Sequence, residues 1–115
     1  DVRARAAAAF ADWGIPTARC VAEARTMAPS CTIIASGGIT SGVEAAKAIA
    51  LGADLVGLAR TLLDAAVRSA DEVASVMEQV EYELRAAMFA TGSRTLRDLR
   101  GTPALEPIYG YGCEP

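Results

Sequence analysis

Two short apolar runs, Thr32–Ala35 and Ala53–Ala59, constrain the fold of this chain more than any other feature. Neither run alternates apolar and polar residues, so each is predicted to be a strand buried on both faces of a parallel sheet. Residues 42–51, which lie between them, have helical spacing, and Gly52 follows as the glycine that ends the helix. A crossover of about a dozen residues joins parallel strands, so the fold class is α/β.

Helical patterns also flank the two runs. A helix over about 17–28 begins after Pro16, a short helix is expected near 61–68, and Ser69 with Glu72 forms a capping-box sequence for a longer terminal helix. The longer helix is expected to end at Gly92, and an irregular tail to begin at about residue 101. The side chains predicted to point inward are Val43, Ala46, Ile49 and Ala50 in the helix over 42–51, and Val73, Val76, Val80 and Leu84 in the longer helix.

Two parallel strands cannot cover their own faces and edges, so residues 1–115 are expected to form a partial domain. The expected whole is a doubly wound sheet or a (β/α)₈ TIM barrel, with this chain at its carboxyl end. The first residue is Asp1 rather than Met, and the alanine run 6–9 leads into a predicted loop. Both features hint that something precedes this segment.

The composition excludes several classes of function. The chain has no histidine, which removes Ser-His and Cys-His nucleophile pairs and most catalytic zinc sites. A net charge of −3 with one lysine, Lys47, argues against a nucleic-acid partner, and no apolar run is long enough to cross a membrane. Cys20, Cys31 and Cys113 form neither a disulfide framework nor a zinc motif, which fits a cytoplasmic location. The first two are expected to pack as small apolar groups.

A glycine-rich turn, Ala35-Ser36-Gly37-Gly38-Ile39-Thr40-Ser41-Gly42, separates the first strand from its helix. Glycines let backbone amides approach a ligand closely, and a helix N-terminus favours a negative charge, so the turn suits a phosphate. The other interpretation is that Gly37 and Gly38 only make a tight turn between strand and helix.

The second strand ends at Ala59 and Arg60, which are expected to lie beside the same ligand. The loops after the last two strands of a TIM barrel often hold a phosphate. The Arg60 side chain or its backbone amide would complete such a site. Arg60 could equally be a surface residue, or pair with Asp64 one turn further along the helix.

Three segments together carry a family resemblance: Phe10-Ala11-Asp12-Trp13-Gly14-Ile15-Pro16-Thr17-Ala18, the glycine turn over 35–42, and Ala46-Lys47-Ala48-Ile49-Ala50-Leu51-Gly52-Ala53-Asp54. They closely resemble type 2 isopentenyl-diphosphate isomerases, and the Trp-Gly-Ile-Pro-Thr sequence is the discriminating part. The glycine turn and the Lys-Ala helix also occur in α-hydroxy-acid oxidases and IMP dehydrogenases. The resemblance covers about residues 10–100, including the helix that ends near Gly92.

The resemblance implies the carboxyl-terminal part of a (β/α)₈ barrel that binds FMN and is reduced by NADPH or another donor. It also implies Mg²⁺, a diphosphate substrate and a homo-oligomer. Gly37, Gly38, Ile39 and Thr40 correspond to the turn that holds the FMN phosphate, and Ala59 and Arg60 to the pair after the last strand. Family members often have Arg where this chain has Thr40, which leaves the threonine backbone and hydroxyl to bind the phosphate.

No catalytic residue and no metal ligand can be assigned within this segment, because the family's catalytic, metal-binding and diphosphate-binding residues lie in earlier strands and loops. Asp12, Asp54 and Glu44 are expected to be ordinary exposed carboxylates. Glu44 shares a wetted helix face with Lys47, and its replacement by alanine is expected to change FMN affinity little. Trp13 is expected to anchor packing or a subunit contact rather than to stack on the flavin.

Two alternative functions remain open from the sequence. Another FMN-dependent barrel, such as an α-hydroxy-acid oxidase, would need a histidine near the phosphate turn, and this chain has none. A non-catalytic phosphate-binding module would keep the glycine turn without any chemistry. The upstream coding sequence would separate these functions, because further βα units with the family's residues would indicate the isomerase.

Overall fold

The computed structural model describes residues 1–106 of the chain. It contains six helices and two strands within those residues. In chain order the elements are α1 (Val2–Ala8), α2 (Thr17–Met27), β1 (Ile34–Ser36), α3 (Gly42–Ala50), β2 (Leu55–Gly57), α4 (Arg60–Ala66), α5 (Ala70–Ala90) and α6 (Leu96–Leu99). Four of these helices and both strands match the elements predicted from the sequence, whereas α1 and α6 were not predicted as separate helices.

The two strands pair in parallel, with Ile34 opposite Leu55 and Ser36 opposite Gly57. This pairing confirms the α/β class and the crossover through α3. Both strands are shorter than predicted. Just before the paired residues, the carbonyl oxygen of Ile33 accepts hydrogen bonds from the amides of both Asp54 and Leu55.

The prediction that the strands are buried on both faces is wrong for residues 1–106. Ala35 is 2% exposed, whereas Ile34 is 63% and Leu55 is 54% exposed. Successive side chains of a strand point to opposite faces, and α2 and α3 contribute to the core on the Ala35 face. Within the described residues no element covers the face that carries Ile34 and Leu55.

Helix α3 lies between two groups of buried side chains. One group contacts α2 and the sheet, and the other contacts α5 and α6. The first consists of Val21, Ala35, Ile39, Ala45, Ala48 and Ala53. The second consists of Ala46, Ile49 and Leu99. Alanines on both sides of α3 allow close packing of its neighbours. Ala46, Ile49 and Ala50 are buried as predicted, whereas Val43, which was also predicted to point inward, is 46% exposed.

Helix α5 covers α3 with the predicted face. Val73, Val76, Val80 and Leu84 are each half-buried, so this helix packs with only part of its surface against the rest of the chain. The Ser69 hydroxyl caps the helix by accepting from the Glu72 amide at 3.1 Å. The Glu72 carboxylate accepts from Arg68 at 3.4 Å rather than completing the predicted capping box. A reciprocal box is present instead at Thr95 and Asp98, where it begins α6.

An ion cluster ties the amino-terminal end of the sheet to α2 and to the segment after α6. The Asp54 carboxylate accepts from Arg25 at 2.5 Å and from the Ile33 amide at 2.9 Å, and it also pairs with Arg100. Arg25 further donates to the Gly52 carbonyl at 2.8 Å. Asp54 therefore has a structural role at the end of the strands opposite the glycine turn, and its pKa is lowered, first by the Ile33 amide bond.

Three further predictions concern exposure and the tail. Cys20 and Cys31 are free and exposed, so the expectation that they pack as small apolar groups is wrong. Each lies outside the two buried groups. Residues 101–106 contain neither helix nor strand, while the rest of the predicted irregular tail and Cys113 lie outside the described residues. No helix within 1–106 is long and apolar enough to span a bilayer.

Candidate functional site

The carboxyl ends of β1 and β2 lie side by side, because the parallel register places Ser36 opposite Gly57. The Ser36 hydroxyl donates to the Gly57 carbonyl oxygen at 3.2 Å, which links the two ends directly. The turn after β1 and the loop that leads from β2 into α4 therefore start from adjacent points. This arrangement brings together the two segments that the sequence assigns to one phosphate.

The turn after β1 has the backbone conformation that requires glycine. Gly37 has φ +104° and Gly38 has φ +76°, values that L side chains rarely adopt. The Thr17 hydroxyl donates to the Gly37 carbonyl at 2.8 Å, so the start of α2 holds the turn from one side. The buried Ile39 side chain fixes its other end in the core. Local anchoring on both sides preorganises the backbone of this turn.

Two backbone amides in the turn are available to a ligand. The amides of Gly38 and Ile39 have no hydrogen-bond partner among residues 1–106. A Cβ atom built on Gly38 would meet no other atom within 4 Å, so the space beside this residue is open. Free donors beside open space fit a phosphate, whose oxygens need several N–H partners. The turn therefore has, at Gly38 and Ile39, the donors and the space that a phosphate group needs.

Thr40 differs from its two neighbours because both of its donors are occupied. Its amide donates to Oε2 of Glu44 at 2.7 Å, and its hydroxyl donates to the same oxygen at 3.0 Å. The Thr40 amide bond is the main reason that the pKa of Glu44 is lowered. The Ser41 hydroxyl in turn accepts from the Glu44 amide at 3.2 Å. Glu44 therefore takes up hydrogen-bond donors at the N-terminus of its own helix, α3.

A second carboxylate reaches the N-terminus of α3 from α5. The Gly42 amide donates to Oε2 of Glu83 at 2.7 Å, and Gln79 donates to the other oxygen at 2.8 Å. These bonds lower the pKa of Glu83, with the Gln79 bond as the larger cause. Gly42 has no Cβ, which lets the two helices approach closely enough for this contact. The negative charge beside the turn therefore comes from two different helices.

The loop after β2 contributes the remaining candidates, Ala59 and Arg60. Ala59 is the N-cap of α4 and makes no side-chain capping bond, so the first amides of α4 lack a side-chain acceptor. Within residues 1–106 the Arg60 guanidinium has no ion pair, and the alternative pairing with Asp64 does not form. Among the described residues, the Arg60 side chain is thus a cation without an acidic partner at the start of α4, next to the carboxyl end of β2.

Two further sequence candidates, Trp13 and Asp54, make their contacts with other residues. Trp13 is 80% exposed and packs edge-on against Phe10, with ring centroids 5.5 Å apart. Asp54 lies at the opposite end of the strands, as described above. No group of three Cys, Asp or Glu side chains in residues 1–106 is arranged to hold a metal ion.

Sequence reasoning missed the roles of Thr17, Glu44 and Glu83. Glu44 could have been found, because Ser41 and Glu44 have the Ser-x-x-Glu spacing of a helix N-terminus. Thr17 and Glu83 gave no local signal, since each contacts a turn or helix far away in the chain. Their contacts depend on packing, which a pattern within one segment does not report.

Comparison with known protein families finds a match over most of the chain. The family model described as FMN-dependent dehydrogenase matches residues 10–105, which include the glycine turn and the loop after β2. The matched region also contains every element except α1.

Several curated relatives carry the name isopentenyl-diphosphate delta-isomerase. The protein from Xanthobacter autotrophicus is 54% identical over 102 residues, which are 88% of this chain and 30% of the relative. The protein from Sulfurisphaera tokodaii is 46% identical over 101 residues, and the match covers 88% of this chain and 27% of the relative. The chain thus spans less than a third of the length of these relatives. By the extent of the family match, the chain belongs to the FMN-dependent dehydrogenase family.

Proposed function

We propose that this chain is the carboxyl-terminal part of an FMN-dependent isomerase that interconverts isopentenyl diphosphate and dimethylallyl diphosphate. One observation carries the proposal: the free Gly38 and Ile39 amides lie where β1 ends, within a segment about half identical to proteins named for this reaction. The proposed place of the chain is the last βα units of a (β/α)₈ barrel. We call the protein that contains this chain and the remainder of that barrel the complete protein.

The apolar face of the sheet supports the barrel part of this proposal. Ile34 and Leu55 present exposed apolar side chains on one face, and each strand contains only three residues. Layers of side chains from other strands fill the interior of a (β/α)₈ barrel. Such layers would cover this face, since the inward residues of neighbouring strands pack on one another.

Six residues are proposed to hold the phosphate of FMN: Gly37, Gly38, Ile39, Thr40, Ala59 and Arg60. Gly38 and Ile39 would donate their backbone amides, and Gly37 would set the direction of the turn. Ala59 would contribute the start of α4, and Arg60 would add a positive charge. When bound and reduced, the flavin supplies an acid and base for moving a proton between substrate carbons. This chain binds and orients one end of that cofactor, and no catalytic residue is assigned to it.

The remaining parts of the proposal concern groups outside residues 1–106. NADPH is proposed as a reductant, and Mg²⁺ is proposed to bind the diphosphate through ligands from earlier strands. A homo-oligomer is proposed from the family resemblance. A cytoplasmic location is proposed from the three cysteines, whose spacing fits neither a disulfide framework nor a zinc motif. An α-hydroxy-acid oxidase is the competing function within FMN-dependent barrels.

The test is an isomerase assay of the complete protein with FMN, NADPH and Mg²⁺. Conversion of isopentenyl diphosphate to dimethylallyl diphosphate is expected, measured by NMR of the two isomers or, in D₂O, by the deuterium that mass spectrometry finds in the product. The 115-residue chain alone is expected to show no turnover above a buffer control, because it lacks most of the barrel wall. If the complete protein bound FMN but oxidised 2-hydroxy acids without isomerising the diphosphate, the oxidase function would replace the proposed one.

A further inference from the structure

We propose that Glu44 weakens FMN binding by competing with the cofactor phosphate for Thr40, so that this residue sets how tightly the complete protein retains FMN. The proposal rests on the FMN site described above. It reverses the expectation that Glu44, as an exposed residue on a wetted helix face, is neutral toward the cofactor. Its basis is one oxygen atom that accepts two hydrogen bonds within the candidate phosphate turn.

The geometry of Thr40 makes the competition direct. Oε2 of Glu44 accepts from the Thr40 amide at 2.7 Å and from the Thr40 hydroxyl at 3.0 Å. A threonine has one backbone N–H and one hydroxyl proton, so both of its donors point to the same carboxylate oxygen. A phosphate can use these donors only if they turn away from Glu44. The phosphate would otherwise depend on Gly38, Ile39 and the loop after β2.

The charge around the turn acts in the same direction. The N-terminus of α3 carries a partial positive charge that would favour a phosphate. Two carboxylates, Glu44 and Glu83, already face that terminus through the Thr40 and Gly42 amides. Lys47 lies near Glu44 on the same helix and contributes to lowering its pKa, so Glu44 is ionised at neutral pH. A phosphate monoester carries one to two negative charges, and each nearby carboxylate repels it.

The experiment compares FMN with riboflavin, which has the same ring system and no phosphate. Dissociation constants of both are measured by flavin fluorescence in the apo form of the complete protein. We expect Glu44→Gln to tighten FMN binding about three- to tenfold, the scale of removing one charge near a phosphate in a partly aqueous site. Riboflavin affinity is expected to remain within about twofold.

Glu72→Gln is the matched control. Glu72 occupies the same position of α5 as Glu44 does of α3, with a serine hydroxyl accepting from its amide at 3.1 Å, but it lies away from the glycine turn. Its replacement is expected to leave the affinities for both flavins unchanged. An equal gain in FMN affinity in both variants would show a general effect of net charge and would overturn the proposal.

A double-mutant cycle tests whether the effect passes through Thr40. Thr40→Val should weaken FMN binding less when Glu44 is present than when it is absent, because the carboxylate engages the Thr40 hydroxyl in the parent protein. In a Glu44→Ala background, the same Thr40→Val change should weaken FMN binding, since the hydroxyl is then available to the phosphate. Additive effects would overturn the proposed route.

The remaining outcomes separate this inference from the proposed function. If the parent protein binds FMN and Glu44→Gln leaves its affinity unchanged or weaker, Glu44 is not a competitor, while the FMN-dependent function stands. If the folded parent protein binds no FMN, both proposals fail. Circular dichroism of each variant establishes that an altered affinity does not come from unfolding.

Discussion

The amide nitrogen of Gly42 lies 2.7 Å from Oε2 of Glu83, and this hydrogen bond joins the first residue of α3 to the middle of α5. The bond requires a close approach of two helices. A Cβ atom on Gly42 would lie 2.5 Å from Cβ of Glu83 and 2.6 Å from the Leu84 nitrogen, and closer still to the Val80 carbonyl oxygen. The absence of a side chain at one position therefore sets how α5 crosses the helix that follows the candidate phosphate turn.

The first prediction is that Gly42→Ala destabilises the complete protein by about 1–3 kcal/mol, the usual cost of forcing a methyl group into a packed contact. The contacting atoms are mainly backbone, so α5 must shift as a whole. Urea denaturation followed by circular dichroism measures the change. Val43→Ala, at the exposed neighbouring position, is the control and should alter the midpoint much less.

The second prediction concerns Gly38→Val, which places a side chain in the open space beside the turn. We expect FMN affinity to fall at least ten- to hundredfold, corresponding to about 1–3 kcal/mol or more. Gly92→Val is a matched control, because Gly92 has φ +69° and Gly38 has φ +76°, and a Cβ on either meets nothing within 4 Å. Both variants should lose comparable stability through backbone strain. If Gly38→Val bound FMN as tightly as the parent protein does, the glycine turn would have a structural role only.

The third prediction is that Asp54→Asn lowers the melting temperature without changing FMN affinity. The amide keeps an oxygen for the Ile33 N–H but removes the charge that Arg25 and Arg100 share. Two guanidinium groups would then lie close together without their common carboxylate. Differential scanning calorimetry should show a clear drop for Asp54→Asn and almost none for Asp12→Asn, an exposed position. A larger effect on flavin binding than on melting would contradict the structural role.

The fourth prediction is that stability decreases in acid. The pKa values of Asp54 and Asp98 lie below their ordinary value of 3.8, and those of Glu44 and Glu83 below 4.5. A carboxyl whose pKa is lower in the folded state binds its proton more readily when unfolded. Its stabilisation is complete above the ordinary value and is lost as the pH falls through the lower folded value. Melting temperatures should therefore be flat near neutrality and decline as the pH falls through about 4.5 and further below 3.8.

A matching experiment identifies which carboxylates cause this decline. The double variant Glu44→Gln, Glu83→Gln should lose only the part of the decline that begins near the higher value. Asp54→Asn should lose part of the decline at lower pH. If melting temperature varied with pH equally in the parent and in these variants, other groups would control acid stability.

Local patterns were sufficient to predict the elements that carry their own signals. The helix over α2, the glycine that ends α3 and the crossover between parallel strands all follow from spacing within one segment. The exposure of Ile34 and Leu55 could not be predicted, because an unbroken apolar run looks the same whether or not a neighbouring element covers it. In the candidate site, glycines pointed to the turn, but the Thr40 contact with Glu44 and the Gly42 contact with Glu83 depend on side-chain direction and on long-range packing.

The ion cluster at Asp54 has a consequence for the order in which the chain is completed during synthesis. Arg25 precedes Asp54 in the sequence and leaves the ribosome first, so one half of the cluster can form as soon as β2 emerges. Arg100 follows only after α5 and α6 have been made, and the Gly101 amide then donates to the Ala50 carbonyl at 2.9 Å. A nascent chain from which β2 has emerged and Arg100 has not would therefore hold the Asp54 carboxylate by one guanidinium instead of two. The contact with the second guanidinium closes a long loop late in synthesis, and until it forms we expect this end of the sheet to stay accessible to proteases and chaperones.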